Sequence, residues 1–360
     1  MTEPLPLPAP EGSRRSPRMR DVAARAGVHQ TTVSLAMRNH ASIPVATRER
    51  IRAIAEEMGY RPNPLLDAFN FHRQSHHPVK SPPTIALVID DRSSRMFQKI
   101  GYHPLIIKGM RLEAAVQGLQ VELFVTGPDS LSAARLNSIL VARGITGVVV
   151  ATFYREVERL ELDWHRLCAV KIESRHLWPP LDVISNDQWQ ATRLAFTRLR
   201  ALGYRRIGMA ICHDDEQRLG DPFRAGLLVE QLQIPAADRV PPLTFWAHEE
   251  EELPARVSNW VRNEGIDAVI SNWNHIVDDL GDSVGAGRRR IALASIDKGE
   301  DDKEVAGVVQ NHVLVGRRAV EQVRNLLQIS AWGVPETSSV TFVPGYWVDG
   351  PSAPARLRAE

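Results

Sequence analysis

From residue 84 onward the chain alternates between two kinds of hydrophobic pattern. Short unbroken apolar runs at 84–90 (TIALVID), 121–125, 147–151, 169–172, 182–184, 206–211, 243–246, 268–271, 291–295 and 305–309 read as strands buried on both faces. Between them, stretches at 105–117, 131–143, 189–202, 226–232, 251–263, 275–284 and 315–327 carry apolar residues three to four apart and read as helices. Gly203 marks the end of the 189–202 helix as a C-cap. Long strand–helix alternation implies βαβ units and parallel sheets. The span is too long for one comfortable sheet, so two α/β lobes are expected.

Ahead of residue 84 the pattern is different. Three short helical patterns fall between Met19 and Met58, each too short to be stable alone. Gly27 suits a positive-φ turn after the first. In the second, Val33 and Met37 lie four apart, ready to pack on Val22 and Ala26, while Gln30, Thr31 and Ser34 occupy the other face. The third offers Ile51, Ile54, Ala55 and Met58 to the core and leaves Arg48, Arg50 and Arg52 mostly outside. Two helices joined by a short Gly-containing turn form a helix-turn-helix, whose second helix enters the DNA major groove. The expected division is a disordered Pro-rich tail at 1–17, a helix-turn-helix at 18–63, a hinge and linker at 64–83, and a two-lobed body at 84–360. Lobe 1 is expected at about 84–187 and 310–335, lobe 2 at about 188–309 and 336–360.

Charge sharpens this division. The 360 residues sum to only +1. Residues 13–63, however, hold ten Arg against four acids, a surplus of +6, so the remainder carries −5. A basic head on an acidic body points to a polyanionic partner for the head. No apolar run is long enough for a transmembrane helix. The two cysteines, Cys168 and Cys212, make no disulfide framework and fit reduced thiols in a cytoplasmic protein. The Pro- and Arg-rich N-terminus does not read as a secretory signal. An enzyme is not expected. GDSVGAG at 281–287 is not a phosphate loop, no G-x-S-x-G occurs, and no metal-ligand spacing is present. His72, His76 and His77 read as part of a solvated linker. No cofactor is expected.

The run MRDVAARAGVHQTTVS followed by TRERIRAIAEEMGYRPNPL closely resembles the head of LacI-family bacterial transcriptional repressors. The resemblance implies a fold: a three-helix head on an α/β, periplasmic-binding-protein-like body of two parallel-sheet lobes. It also implies a function, an operator-binding homodimer controlled by a small-molecule effector, a sugar being the first expectation. The alternative is a small-molecule binding or catalytic module with a vestigial head. Carried over by motif, the DNA-binding candidates are Arg20, Gln30, Thr31, Thr32, Ser34, Leu35, Asn39, Tyr60 and Asn63, with Leu66 or Phe69 as a minor-groove wedge in the hinge. There are departures. His29 stands at the usual Ser cap position, Leu35 where an Arg is usual, and Ile43-Pro44 before the third helix.

Ligands of such folds bind at the carboxyl ends of strands, between lobes. The effector candidates are therefore Asp90, Asp91 and Arg92; Ser174 and Arg175, beside Glu173; Asn186 and Asp187; Arg218 or Arg224; Asn272 and Trp273; and Asp297. Asp and Asn fork sugar hydroxyls, and Trp273 or Trp178 offers a stacking face.

Overall fold

A computed structural model describes residues 17–37, 42–60, 82–92, 102–151, 153–154, 156–273 and 291–356. The expected 275–284 helix, Asn39, Asn63, Leu66, Phe69 and the linker histidines lie outside them.

The head is built from α1 (Met19–Ala26), α2 (Gln30–Met37) and α3 (Val45–Glu57). Gly27 ends α1 at φ 66, a conformation a side chain would strain. Val22, Ala23, Ala26, Val33, Ala36, Ile51 and Ala55 form the core, with Met37, Ile54, Met58 and Tyr60 packed at its edge. The inner stripe of α2 is thus Val33 and Ala36, with Met37 only partly covered. Pro44 caps α3 from outside its first turn.

The body has two six-stranded sheets. Lobe 1 orders β11-β5-β4-β3-β1-β2, from β1 (Thr84–Asp90), β2 (Gln120–Thr126), β3 (Gly147–Ala151), β4 (Cys168–Ile172), β5 (Asp182–Asn186) and β11 (Val340–Val343). All its pairings are parallel. Lobe 2 orders β12-β10-β9-β8-β6-β7, from β6 (Ile207–Cys212), β7 (Leu243–Phe245), β8 (Ala268–Ser271), β9 (Ala292–Ser295), β10 (Ala306–Val309) and β12 (Tyr346–Val348). β12 runs antiparallel to β10. The last two strands were not read from sequence. They correct the expected lobe limits, because β11 returns to lobe 1 and the third crossing falls between Val343 and Tyr346 instead of near 335.

Alternation along each strand feeds two cores per sheet. In lobe 1, Ile85, Leu87, Ile89 and Val170 face α10 (His312–Ile329), while Ala86, Val88, Val148 and Val150 face α5 (Ala133–Ala142). In lobe 2, Ile207, Met209 and Ile211 face α6 (Gln188–Ala201), and Ala210, Val269 and Leu293 face α9 (Leu253–Asn263). Chain crossings at 186–188, 309–312 and 343–346 join the lobes, so the carboxyl ends of β4, β6, β8 and β9 look into one cleft. Among the described residues no helix is long and apolar enough to cross a membrane.

The helix α4 (Tyr102–Val116) approaches α10 backbone to backbone. A Cβ on Gly316 would stand 2.0 Å from the Ile106 carbonyl oxygen, and one on Gly109 would stand 1.9 Å from that of Val313. Gly316→Ala is expected to lower stability by about 1–3 kcal/mol through overpacking, read as a lower urea midpoint by circular dichroism. Gly299→Ala, whose nearest neighbour atom would be 3.8 Å away, should shift stability by no more than about 0.5 kcal/mol.

Candidate DNA-reading head and inter-lobe cleft

In the head, α2 presents Gln30 and Thr31 to solvent and half-exposes Thr32, Ser34 and Leu35. Arg20 is exposed beside Asp21, at 3.5 Å. Tyr60 is half-buried, its N–H donating to the Ala55 carbonyl. Three arginines counted toward the basic surplus also hold the head together. Arg50 donates to the Ala26 carbonyl and Arg52 to that of Met37, meeting the negative C-terminal ends of α1 and α2. Arg25 pairs with Glu57.

The cleft centres on Arg218, carried by α7 (His213–Leu219), a short helix the sequence reading missed. Its Nη1 donates to Glu173 Oε2 at 2.7 Å, joining lobe 2 to the end of β4 in lobe 1, and both side chains are largely buried. Its Nη2 lies 3.4 Å from Asp215 Oδ1. Asp215 Oδ2 accepts from Asn272 Nδ2 at 2.8 Å and Trp273 Nε1 at 3.2 Å. Arg175 reaches from lobe 1 to the Leu219 carbonyl. A second pair crosses with the opposite polarity. His312, at the start of α10 in lobe 1, meets Asp297 Oδ1 of lobe 2 at 2.7 Å. Glu173 and Asn311 hold φ of 59 and 55, strained backbone at the end of β4 and at the second crossing, and Asp221, at φ 57, turns the chain from α7 into the helix that follows.

Aromatic rings line the lobe 2 side. Trp273 packs edge-on to Phe245 with centroids 5.2 Å apart, and Trp246 lies 4.7 Å from the His213 ring. Trp246, His213, Asp215 and His312 were not among the candidates. Trp246 and Asp215 lie at or just past strand ends, the same signal that found Trp273. His312 gave no signal, because its place depends on the crossing.

Other candidates stand elsewhere. Asp90 Oδ2 accepts the Tyr154 N–H, Asp91 Oδ2 the Asp129 N–H, and Ser174 Oγ the Phe153 N–H, so these groups brace lobe 1 loops. Gly127 leaves the room that Asp91 fills, since a Cβ there would stand 2.4 Å from its carboxyl carbon. Asn186 donates to the Gln310 carbonyl and ties two crossings together. Asp187 caps α6 through the Gln190 N–H. Arg92 faces solvent beside Glu156. Of the two arginines, Arg224 gives its backbone N–H to the buried Glu216 carboxyl at the start of α8 (Pro222–Leu232). Burial holds that carboxyl up at about 7. Trp178 gives a ring face to Arg159, 4.0 Å above it. Among the described residues no group of three or more metal-ligating side chains converges.

Residues 18–63 match the family model of bacterial regulatory proteins, lacI family. The head is a lacI-family head. The curated relatives include CelR of Thermobifida fusca, 27% identical over 54% of this chain and 55% of CelR, and the maltose regulon regulatory protein MalI of Escherichia coli K12, 28% identical over 52% and 51%. The chain spans about half the length of these two relatives. In fold, it is similar to a CelR–cellobiose complex, with a TM-score of 0.56, 18% identity and coverage of 93% of this chain and 99% of that one. It is likewise similar to a lac repressor dimer bound to operator and the anti-inducer ONPF, with a TM-score of 0.53, 17% identity and coverage of 94% and 99%. The lacI-family head thus sits on a body with the two-lobed α/β fold of these regulators.

Two predictions follow from the cleft's charges. Arg218→Ala leaves the Glu173 carboxylate buried without its partner and should destabilise the protein by about 3–5 kcal/mol in denaturant unfolding. The double change Glu173→Gln, Arg218→Met should recover most of that loss. For His312, burial opposes protonation, but the charge and hydrogen bond of Asp297, with Glu173 and Glu300 behind it, outweigh burial and raise its pKa. The stability gained from protonated His312 is therefore complete below its ordinary value of 6.5 and lost as pH rises through the raised native value. The unfolding free-energy difference between wild type and His312→Gln should shrink from pH 6 to pH 9. His103 acts in the opposite sense. Burial, then Arg218 and His312, push it down to about 3, so acid withdraws stability progressively below 6.5.

Proposed function

We propose that this chain is a DNA-binding transcriptional regulator whose operator affinity is set by an effector in the inter-lobe cleft. The observation that carries the reading is the joining of a lacI-family head, with Gln30 and Thr31 exposed on α2, to a body whose lobes meet through Glu173, Arg218, Asp297 and His312. The closing surface suits a sugar. Asp215, Asn272 and Asp297 offer paired hydrogen-bonding groups, and Trp246 and Trp273 offer apolar ring faces for C–H stacking. The CelR–cellobiose likeness supports that class.

The protein acts as a homodimer on a pseudo-palindromic operator, each head reading one half-site. The edge strand β2 and α4 expose Leu123, Leu112 and Val116, an apolar face that a second copy would cover. Effector binding favours one lobe arrangement and so changes how the paired heads meet DNA, a coupling of about 1–3 kcal/mol.

The test uses the full-length chain and duplexes selected from a randomised pool. Binding should weaken about 10³–10⁵-fold between 50 and 200 mM salt if the dimer neutralises about 6–10 phosphates. It should fail in Gln30→Ala, Thr31→Ala protein. In thermal shift against cellobiose, maltose and related sugars, a true effector at 100 times its Kd adds about 2.7 kcal/mol of stability. Sugar binding without any enrichment of DNA would favour a binding module with a vestigial head.

A further inference from the structure

The N-terminal end of α2 is capped in an unusual way. A Ser, Thr, Asp or Asn side chain ordinarily supplies the oxygen that accepts a first-turn N–H. Here the residue before α2 is His29, and its carbonyl already accepts the N–H groups of Thr32 at 2.9 Å and Val33 at 3.2 Å. Its ring does a second thing. Nδ1 lies 3.4 Å from the Thr31 backbone N–H and 3.0 Å from Thr31 Oγ1. Two potential donors from one residue converge on that nitrogen. The backbone N–H can only donate, so Nδ1 is the acceptor and the ring proton resides on Nε2. The hydroxyl proton of Thr31 then points at the imidazole, and the remaining lone pairs of Oγ1 point away from it. His29 and Thr31 are both exposed, so this arrangement stands at the surface that α2 offers.

We propose that His29 is a specificity-determining positioning residue, which orients the Thr31 hydroxyl as a hydrogen-bond acceptor toward DNA. The proposal rests on the DNA-reading function above. A hydroxyl free to rotate pairs with any base edge. One whose proton is engaged by a neighbouring ring presents only lone pairs. It then selects an exocyclic amino group, adenine N6 or cytosine N4, on the contacted strand and discriminates against guanine and thymine, whose major-groove edges are acceptors. The Nε2–H of the same ring is left as a donor for a phosphate oxygen, which adds affinity without sequence preference.

The experiment is selection of full-length protein on randomised duplexes, followed by affinity measurement on the enriched site and its single-base variants. Wild type should show one position per half-site whose preferred pair loses affinity when the exocyclic amino group of its adenine or cytosine is removed, purine replacing adenine or 2-pyrimidinone replacing cytosine, and Thr31→Ala should flatten that position and abolish this sensitivity. His29→Ala should flatten the same position, reducing discrimination there by about 3–10-fold, and the double variant should flatten it no further than either single one. His29→Ser restores a helix cap, so it should recover overall affinity while leaving that position flat. His29→Asn places an amide oxygen near the site of Nδ1 and should restore the preference. A His29→Ala protein that binds every sequence more weakly by the same factor, with its preferences intact, overturns the proposal. So does flattening at a position that Thr31→Ala leaves unchanged, or wild-type affinity that removal of the amino group at the Thr31 position does not change more than it changes that of Thr31→Ala. A wild-type protein that enriches no sequence overturns the DNA-reading function instead.

Discussion

The contact between Glu173 and Arg218 is the constraint on which the body depends. Both groups are largely withdrawn from water, and each comes from a different lobe. Burying two charges is favourable only if geometry and further hydrogen bonds compensate for lost hydration. Arg218 meets that condition by reaching Asp215 as well, and Asp215 in turn collects Asn272 and Trp273. The ends of β6 and β8 are thereby tied to the end of β4. The His312–Asp297 pair repeats the device with the charges exchanged between lobes. Two crossed pairs resist sliding of one lobe over the other more than one pair would, since a shift that shortens one separation does not preserve the other. A ligand entering this cleft meets groups already committed to one another, so its binding is an exchange of partners and is sensitive to how the lobes stand.

Much of the body was legible because parallel strands buried on both faces have few alternatives to an apolar run. TIALVID at Thr84–Asp90 and GVVVA at Gly147–Ala151 are buried along their whole length. Val340–Val343 and Tyr346–Val348 escaped notice for the complementary reason. They are edge strands with mostly exposed side chains, and one is interrupted from the other by the turn at Pro344 and Gly345. The chain's third crossing therefore had to be seen in three dimensions. The short α7 was hidden by its composition, since HDDEQRL carries one apolar residue and is held by the strand before it.

The strand-end rule located the cleft but did not sort the polar groups within it. Asp90, Asp91 and Ser174 obey the rule and are used to hold lobe 1 loops, whereas Asp297 obeys it and reaches across the cleft, and Asn272 obeys it and holds Asp215 on the lobe 2 wall. Sequence position gives a side chain's height on the sheet, and only the packing of the following loop decides whether a backbone N–H claims it first. The same reasoning qualifies the charge of the head. Arg25, Arg50 and Arg52 contribute to its basic surplus while engaging Glu57 and the carbonyl ends of α1 and α2. Their charge still draws the head toward a polyanion, because a field does not require a direct contact. Their geometry holds the three helices together, while Gln30 and Thr31 on α2 remain exposed.

The body's first strand, which starts at Thr84, lies in lobe 1, so the chain passes from the head into lobe 1 first. The carboxyl end of that strand holds Asp90 on Tyr154, in the same lobe that supplies Glu173, Arg175 and His312 to the cleft. Lobe 1 thus both follows the head along the chain and forms one jaw of the cleft. Under the proposed function, a change in its tilt against lobe 2 moves the start of the body without any need to deform the head, whose small core is self-contained. Transmission as rigid-body rotation suits a sheet packed on both faces, because such cores shift between discrete arrangements and do not bend continuously. The crossed ion pairs contribute to the stability of the arrangement seen here. Under the proposed function, their strength bears on how much differential affinity an effector must supply before the heads respond.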